Sequence, residues 1–395
     1  MMNDITKAGL LFNAASIPCS LFMKLCDEHD PNEIFSGDGF LRELGLTEAQ
    51  TSRVMDFLAK DGWIEREMET AQKFGARFIT AKDLDYPVRL FDLKRPPVGL
   101  YVKGKMILSF PSVAIVGTRT PSQYGQDTAS QLAKALAKSG AITVSGGALG
   151  IDSAAHRGSL SVDGITIAVF GTSIDRVYPA ENRDLFARIA ERGAVVSEYP
   201  IGSPGEAWHF PERNRLIAGM ASRVVIAEAG EKSGAMITAR YAEELRRELW
   251  AVPGRITDVN SAGTNRLLFR GAKCLCDMRE FAEDFTGRRE QLELFSEEEA
   301  EPEREAVQEK GAAQEKGAAQ KKGAVQEKKP VNAGPELSDN EKVIYALIQK
   351  KGHRLLDDLI DESGKEMPDV IEAVVMLQAV GLVVEAGGRY SAAQQ

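Results

Sequence analysis

SVAIVGTRTPSQYGQDTASQLAKALAKSGAITVSGGALG, residues 112–150, is the stretch whose reading decides the fold. Val113-Ala114-Ile115-Val116 is a continuous, mostly β-branched apolar run closed by Gly117, the pattern of a strand buried on both faces. Thr118, Pro121 and Ser122 supply a turn. Ala129, Leu132, Ala133, Leu136 and Ala137 then recur at the spacing of one helix face, and Gly140 stops that helix. Ile142-Thr143-Val144 is a second buried strand ending in Ser145-Gly146-Gly147. Strand, helix and strand in this order form a βαβ unit, which builds parallel sheet through a right-handed crossover.

Both strands run into small-residue loops, Gly117-Thr118-Arg119 and Ser145 to Gly150. Loops at the carboxyl ends of adjacent parallel strands line the crevice where such sheets bind ligands. Glycines let backbone N–H groups approach an oxygen-rich group, helix starts carry partial positive charge, and Arg119 adds a fork of donors. The expected ligand is therefore anionic. Neither loop is G-x-G-x-x-G or G-x-x-x-x-G-K-[ST], so neither promises a dinucleotide or ATP.

Working outward, the chain of 395 residues has room for two or three domains. Its 43% hydrophobic and 27% charged content is that of a globular protein. A net charge of -9 argues against a protein that coats nucleic acid indiscriminately, although cations can still be gathered in one cleft. Four cysteines in such a length make no disulfide framework, and a reduced cytoplasmic setting is expected. Cys274-Leu275-Cys276 lacks the ligand spacing of a zinc site, so no metal and no cofactor are expected. No apolar run approaches the ~18 residues of a membrane span, and the amino terminus lacks signal-peptide features.

Composition divides the chain into five parts. Residues 1–70 read as a small helical domain of the SAM or helix-hairpin-helix kind, from Leu44-Gly45-Leu46-Thr47 before a helix. Residues 71–111 read as a connecting segment, with possible strands at Phe78-Ile79-Thr80 and Leu100-Tyr101-Val102, the latter at an edge of the main sheet. Residues 112–286 alternate strands with helices, the pattern of a doubly wound parallel α/β domain. Its later helices are expected over 153–161, 183–191, 214–220, 235–246 and 264–270. Residues 287–334 turn glutamate-rich and then repeat AVQEKG-like hexapeptides, whose regular glycines oppose helix and leave nothing to bury, the composition of a flexible linker. Residues 335–395 suggest three helices and two short strands, a winged-helix pattern. Its third helix carries Glu366, Asp369 and Glu372 and no cation, which favours protein contact over DNA reading.

Further loops of the central domain carry the same chemistry. Asp152 is placed to cap the helix after the second strand, and His156, one turn on, reads as a buried structural histidine. Arg213, Asn214 and Arg215 open a later helix, and Lys232-Ser233-Gly234 open another. Asn265 and Arg266 end the last unit. Arg119, Arg213, Arg215, Lys232 and Arg266 are expected around one rim, in a domain that otherwise holds twenty basic and twenty acidic residues between 112 and 285. Such segregation suits a groove that tracks phosphates, with Phe210 and Tyr178 the nearby candidates for stacking on a base.

The ordered motifs VGTR, SGGALGID, YP-EN, SEYP, FPERNRLIAG, SGAMITARYA, VPG and GTNRLL resemble the DNA-processing protein A (DprA/Smf) family. The resemblance implies an extended Rossmann-like domain that binds single-stranded DNA, forms a homodimer and loads the RecA recombinase onto incoming DNA during natural transformation, without catalysis. It implies phosphate-binding roles for Gly117, Thr118 and Arg119 and for Arg213, Asn214 and Arg215. Ser145, Gly146, Gly147, Lys232, Ser233, Gly234, Asn265 and Arg266 complete the expected DNA-binding set. This chain departs from the family's usual SGLARGID: Gly147 replaces its leucine and Leu149 its arginine, which removes one cation. The alternative is a nucleoside-monophosphate phosphoribohydrolase on a similar fold. Residues 228–238 lack the glutamate that such an enzyme's P-G-G-x-G-T-x-x-E signature needs, which disfavours it.

Overall fold

The computed structural model describes residues 3–107, 111–286, 338–351, 354–365, 370, 373–374, 377, 382–386 and 389–392. They fall into two compact units, Met1–Arg304 and Glu305–Gln395. The first opens with α1 (Asp4–Ala14), α2 (Cys19–Glu28), α3 (Asp38–Leu44), α4 (Glu48–Leu58) and α5 (Trp63–Lys73). Their ends are set locally. Asn3 caps α1, left-handed Gly45 closes α3, and Thr47 with Gln50 forms a reciprocal capping box on α4.

β1 (Ala76–Thr80) and β2 (Gly99–Gly104) follow, and then strands and helices alternate. These are β3 (Ser112–Gly117), α6 (Gln123–Lys138), β4 (Ile142–Ser145), α7 (Ile151–Leu160), β5 (Thr166–Val169), α8 (Arg183–Arg192) and β6 (Ala194–Ser197). They continue as α9 (His209–Met220), β7 (Arg223–Glu228), α10 (Ala235–Glu244), β8 (Glu248–Ala251), α11 (Ala262–Phe269), β9 (Lys273–Cys274) and α12 (Met278–Thr286). One nine-stranded sheet results, in the order β1-β2-β6-β5-β4-β3-β7-β8-β9. All pairs from β6 to β9 are parallel, while β2 runs antiparallel to both β1 and β6.

The strand that decided the fold sits at its centre. Val113 and Ile115 join a core with Leu132 and Leu136 of α6 on one face, and Ala114 and Val116 join Leu216 and Ile217 of α9 on the other. Alternating side chains thus bury both faces. Strand order reverses between β3 and β7, so the switch point lies there and not between β3 and β4 as sequence adjacency suggests.

Residues 71–111 supply the two expected strands, β1 and β2, but the edge of the sheet is β1, and β2 lies inside it between β1 and β6. The opening helices share a core with it: Leu11, Phe12, Phe22 and Leu41 belong to the cluster that holds Leu100, Val144, Val196 and Ile226. Among the described residues no helix is long and apolar enough to cross a membrane.

In the second unit, α13 (Asp339–Lys351) and α14 (Leu356–Ser363) accompany β10 (Arg354–Leu355), β11 (Val383–Ala386) and β12 (Arg389–Ala392). Its antiparallel sheet has the order β10-β12-β11, over a core containing Ile344, Ile348, Leu359 and Leu377. The linker expected over 287–334 lies outside the described residues, as does most of the helix expected over 367–379.

Candidate functional site

At the carboxyl end of β3, packing dictates Gly117. A Cβ there would stand 2.5 Å from Ile151 and 2.7 Å from the Glu228 carbonyl oxygen. The Thr118 N–H donates to that carbonyl at 2.7 Å, so it is spent on the sheet. Arg119 is exposed, and its guanidinium carbon lies 5.8 Å from the centre of the Phe210 ring. Of the three residues it alone presents a charged head to a ligand.

Two of the neighbouring helix starts already hold anions of the protein's own. The Ser122 N–H at the start of α6 donates to Glu228 Oε2 at 2.9 Å, and a Cβ on Gly125 would come within 2.0 Å of that oxygen. At the start of α7, Asp152 does not cap its helix. It accepts from the Gly146 and Ala148 N–H groups, at 3.1 and 3.4 Å, and so fastens the preceding loop. Burial raises the Asp152 carboxyl above its ordinary range, while the charge of Arg213 and these N–H donors pull the other way. Ser145 is fully buried and donates to the Ile115 carbonyl at 2.6 Å. From beneath, the Asn182 amide donates to the Gly147 carbonyl at 3.0 Å and to Ser153 Oγ at 2.7 Å.

Arg213 and Arg215 are not on an open rim. Arg213 is buried and donates through Nη1 to the carbonyls of Gly146, at 2.7 Å, and of Val169, closing the ends of β4 and β5. Burial brings its guanidinium down to about 10, against the opposing charge of Asp152. Arg215 turns the other way, to the Glu198 carboxylate, to Glu212 at 3.2 Å and to the Arg95 carbonyl at 2.9 Å. His156, fully buried, bonds Thr166 Oγ1 at 2.7 Å through Nδ1. Because that hydroxyl donates to the Thr143 carbonyl, the network assigns the proton to Nδ1. Burial drives His156 down to about 3, helped by the charges of Arg213 and Arg157. Asp152 and His156 are thus both committed to internal hydrogen bonds.

The open part straddles the switch point, with Ala148 and Asp152 on its β4 side. Lys232, Ser233 and Gly234 lead into α10, whose first N–H, that of Ala235, donates to Ser233 Oγ at 3.3 Å, and Asn214 Nδ2 reaches the Gly234 carbonyl at 3.3 Å. A cavity of about 370 Å³ is lined by Gly117, Arg119, Phe210, Asn214, Ser233 and Gly234, with Arg213 in its wall. Thr118 and Lys232 border a wider adjoining opening. A small niche beside Arg119 is walled by Tyr178, Phe210 and Leu149, with the two rings 5.3 Å apart. Asn265 exchanges two hydrogen bonds with the Gly254 backbone, and Arg266 faces Glu231 at 3.3 Å. The structure thus gathers Gly117, Arg119, Asn214, Ser233 and Gly234 around one cavity, and it commits Ser145, Arg215 and Asn265 to internal bonds. Sequence reasoning missed Glu228 and Asn182. A carboxylate directly after an apolar strand and an amide after Tyr178-Pro179 were the available signals.

Fold and crevice define a doubly wound α/β protein with a glycine-lined, arginine-marked cavity at its switch point. The chain belongs to the DNA recombination-mediator protein A family, whose model matches residues 77–286. It is 35% identical over 330 residues to protein Smf of Synechocystis, covering 82% of each chain. It is 40% identical over 230 residues to DNA processing protein DprA of Streptococcus pneumoniae, which is 58% of this chain and 79% of that one. The X-ray structure of the S. pneumoniae protein superposes with a TM-score of 0.61 at 32% identity, over 71% of this chain and 96% of that one. A Helicobacter pylori DNA processing protein A, whose structure is described by its single-stranded DNA binding mode, gives 0.50 at 35% identity, over 54% and 97%.

Proposed function

We propose that this chain binds single-stranded DNA along the carboxyl edge of its sheet and, as a homodimer, passes it to the RecA recombinase in transformation or recombination. The observation that carries this reading is Arg119, exposed above the Phe210 ring at the mouth of the switch-point cavity. A cation and an aromatic face side by side suit a phosphate and its base. The binding mode named for the H. pylori relative supports it. In this reading Lys232, Ser233, Gly234 and Asn214 complete the phosphate track, while Arg213 holds its wall. The chain performs no bond-making step on DNA, and its second unit is a winged helix that contacts protein.

A labelled 30-nucleotide single strand and its duplex, titrated at two salt concentrations with wild type and with Arg119→Ala plus Lys232→Ala, test the reading. The wild type should prefer the single strand, and the double variant should lose affinity with a salt slope shallower by about 1.4, from ~0.7 per lost phosphate contact. Unchanged affinity and slope would contradict it.

A further inference from the structure

The first turn of α9 is a ridge between two cavities. Phe210 faces the switch-point cavity, whereas Trp208, two residues earlier, lines a second cavity of about 520 Å³. That second cavity lies where β6 ends at Glu198-Tyr199 and where the chain enters β2 through Arg95-Pro96-Pro97. Because β2 is antiparallel to β6, with Tyr101 opposite Ser197, its entry sits on the same carboxyl edge as the Arg119 loop. Four strand spacings separate β3 from β2, about 19 Å.

Trp208 is 62% exposed, although a large indole ordinarily finds cover. It stands edge-on to His209, 4.2 Å away, and His209 stacks on Tyr199 at 3.9 Å. The platform is therefore fixed on one side and bare on the other. Two cations stand at the same cavity with little to hold them. Lys94 is 89% exposed and 3.9 Å from Glu244; Arg95 is 82% exposed and 3.1 Å from Glu212. Such exposed pairs contribute little and exchange readily for a phosphate. The remaining acid, Glu198, is matched by buried Arg215.

We propose that the second cavity is a further subsite for the same single strand: a nucleobase stacks on Trp208, and Lys94 and Arg95 take the flanking phosphates. The inference rests on the single-strand reading of the Arg119 cavity, with which the platform is continuous across the α9 ridge.

Titrating the full chain with oligothymidylates of 6 and 15 nucleotides tests it, with tryptophan emission and a labelled strand as readouts. The short strand should fill the Arg119 cavity alone and leave emission unchanged. The long one should quench emission, and Trp208→Phe should remove most of that quenching, since the other indoles, Trp63 and Trp250, lie elsewhere in the fold. Trp208→Ala should weaken the 15-mer by about five- to a hundredfold and spare the 6-mer. Lys94→Gln with Arg95→Gln should lower the salt slope of the 15-mer only, by about 1.4. If Arg119→Ala weakens both strands while the Trp208 and Lys94/Arg95 variants leave the 15-mer unchanged, the subsite is refuted and the crevice reading stands. Quenching by a proline-rich peptide but not by the 15-mer refutes it in favour of a protein partner. Indifference of both strands to Arg119→Ala overturns the crevice reading itself.

Discussion

Two helix starts on the same sheet edge behave in opposite ways. At α6 the protein places its own carboxylate, Glu228, against the Ser122 N–H, whereas at α10 the first N–H, that of Ala235, meets only the neutral Ser233 hydroxyl at 3.3 Å and the start opens onto the cavity beside Arg119. The loop before α7 sides with α6, since Asp152, Arg213 and Asn182 take up its donors and acceptors. Small-residue loops that look alike in sequence therefore divide into a self-satisfied half and an open half. The difference lies in where a buried charge lands, Glu228 from a distant segment and Asp152 from six residues along the chain. Burying Asp152 and Glu228 is tolerable because backbone donors meet them, and those donors are then lost to a ligand.

The sharpest way to break this comparison is Arg213→Ala. It leaves two buried carbonyls unpartnered beside a buried carboxylate, so urea denaturation should show a loss of about 3 kcal/mol. Arg119→Ala, at an exposed site, should stay within ~0.5 kcal/mol of wild type. Equal losses would erase the distinction between wall and mouth.

Acid should find the self-satisfied half next. His156 is held neutral to about 3 when folded and titrates near its ordinary 6.5 when unfolded, so between those values the unfolded chain binds more protons. Stability should fall as pH drops below ~6.5, by at most ~1.4 kcal/mol per unit from this group, and His156→Asn should flatten the slope. A slope that the substitution leaves intact would assign the acid sensitivity elsewhere.

Glu228→Gln keeps an acceptor at α6 but removes the charge, and a melting experiment should register about 1 kcal/mol. Single-strand affinity should not fall with it. The smallest expected effect falls at the seam between the halves: Leu149, 41% exposed on the niche beside Arg119, replaced by arginine should tighten single-strand binding a few-fold and steepen the salt slope by about 0.7. A steeper slope with duplex alone would place Leu149 off the track.

What the sequence revealed follows the range of the forces involved. β3, α6 and β4 fall where apolar runs and glycines put them, because those signals are local. α9 begins at His209, five residues before the expected Asn214, since a proline in the first turn obstructs no helical bond. The pairing of β3 with β7 joins residues more than a hundred apart, and no local pattern records it. That Arg119, Ser233 and Gly234 would come together was legible because loop composition marked them, and all three line the cavity. Arg213 and Arg215 were misread as open because sequence shows a charge and not its direction. One guanidinium turned inward to carbonyls and the other to Glu198.

Amide deuterium exchange with and without a saturating 30-nucleotide oligothymidylate tests the division most directly. Bound strand should slow exchange across residues 230–238 and leave 145–148 unchanged, since the Gly146 and Ala148 donors there are already taken by Asp152. Slowing confined to 145–148, with 230–238 unaffected, would contradict the account.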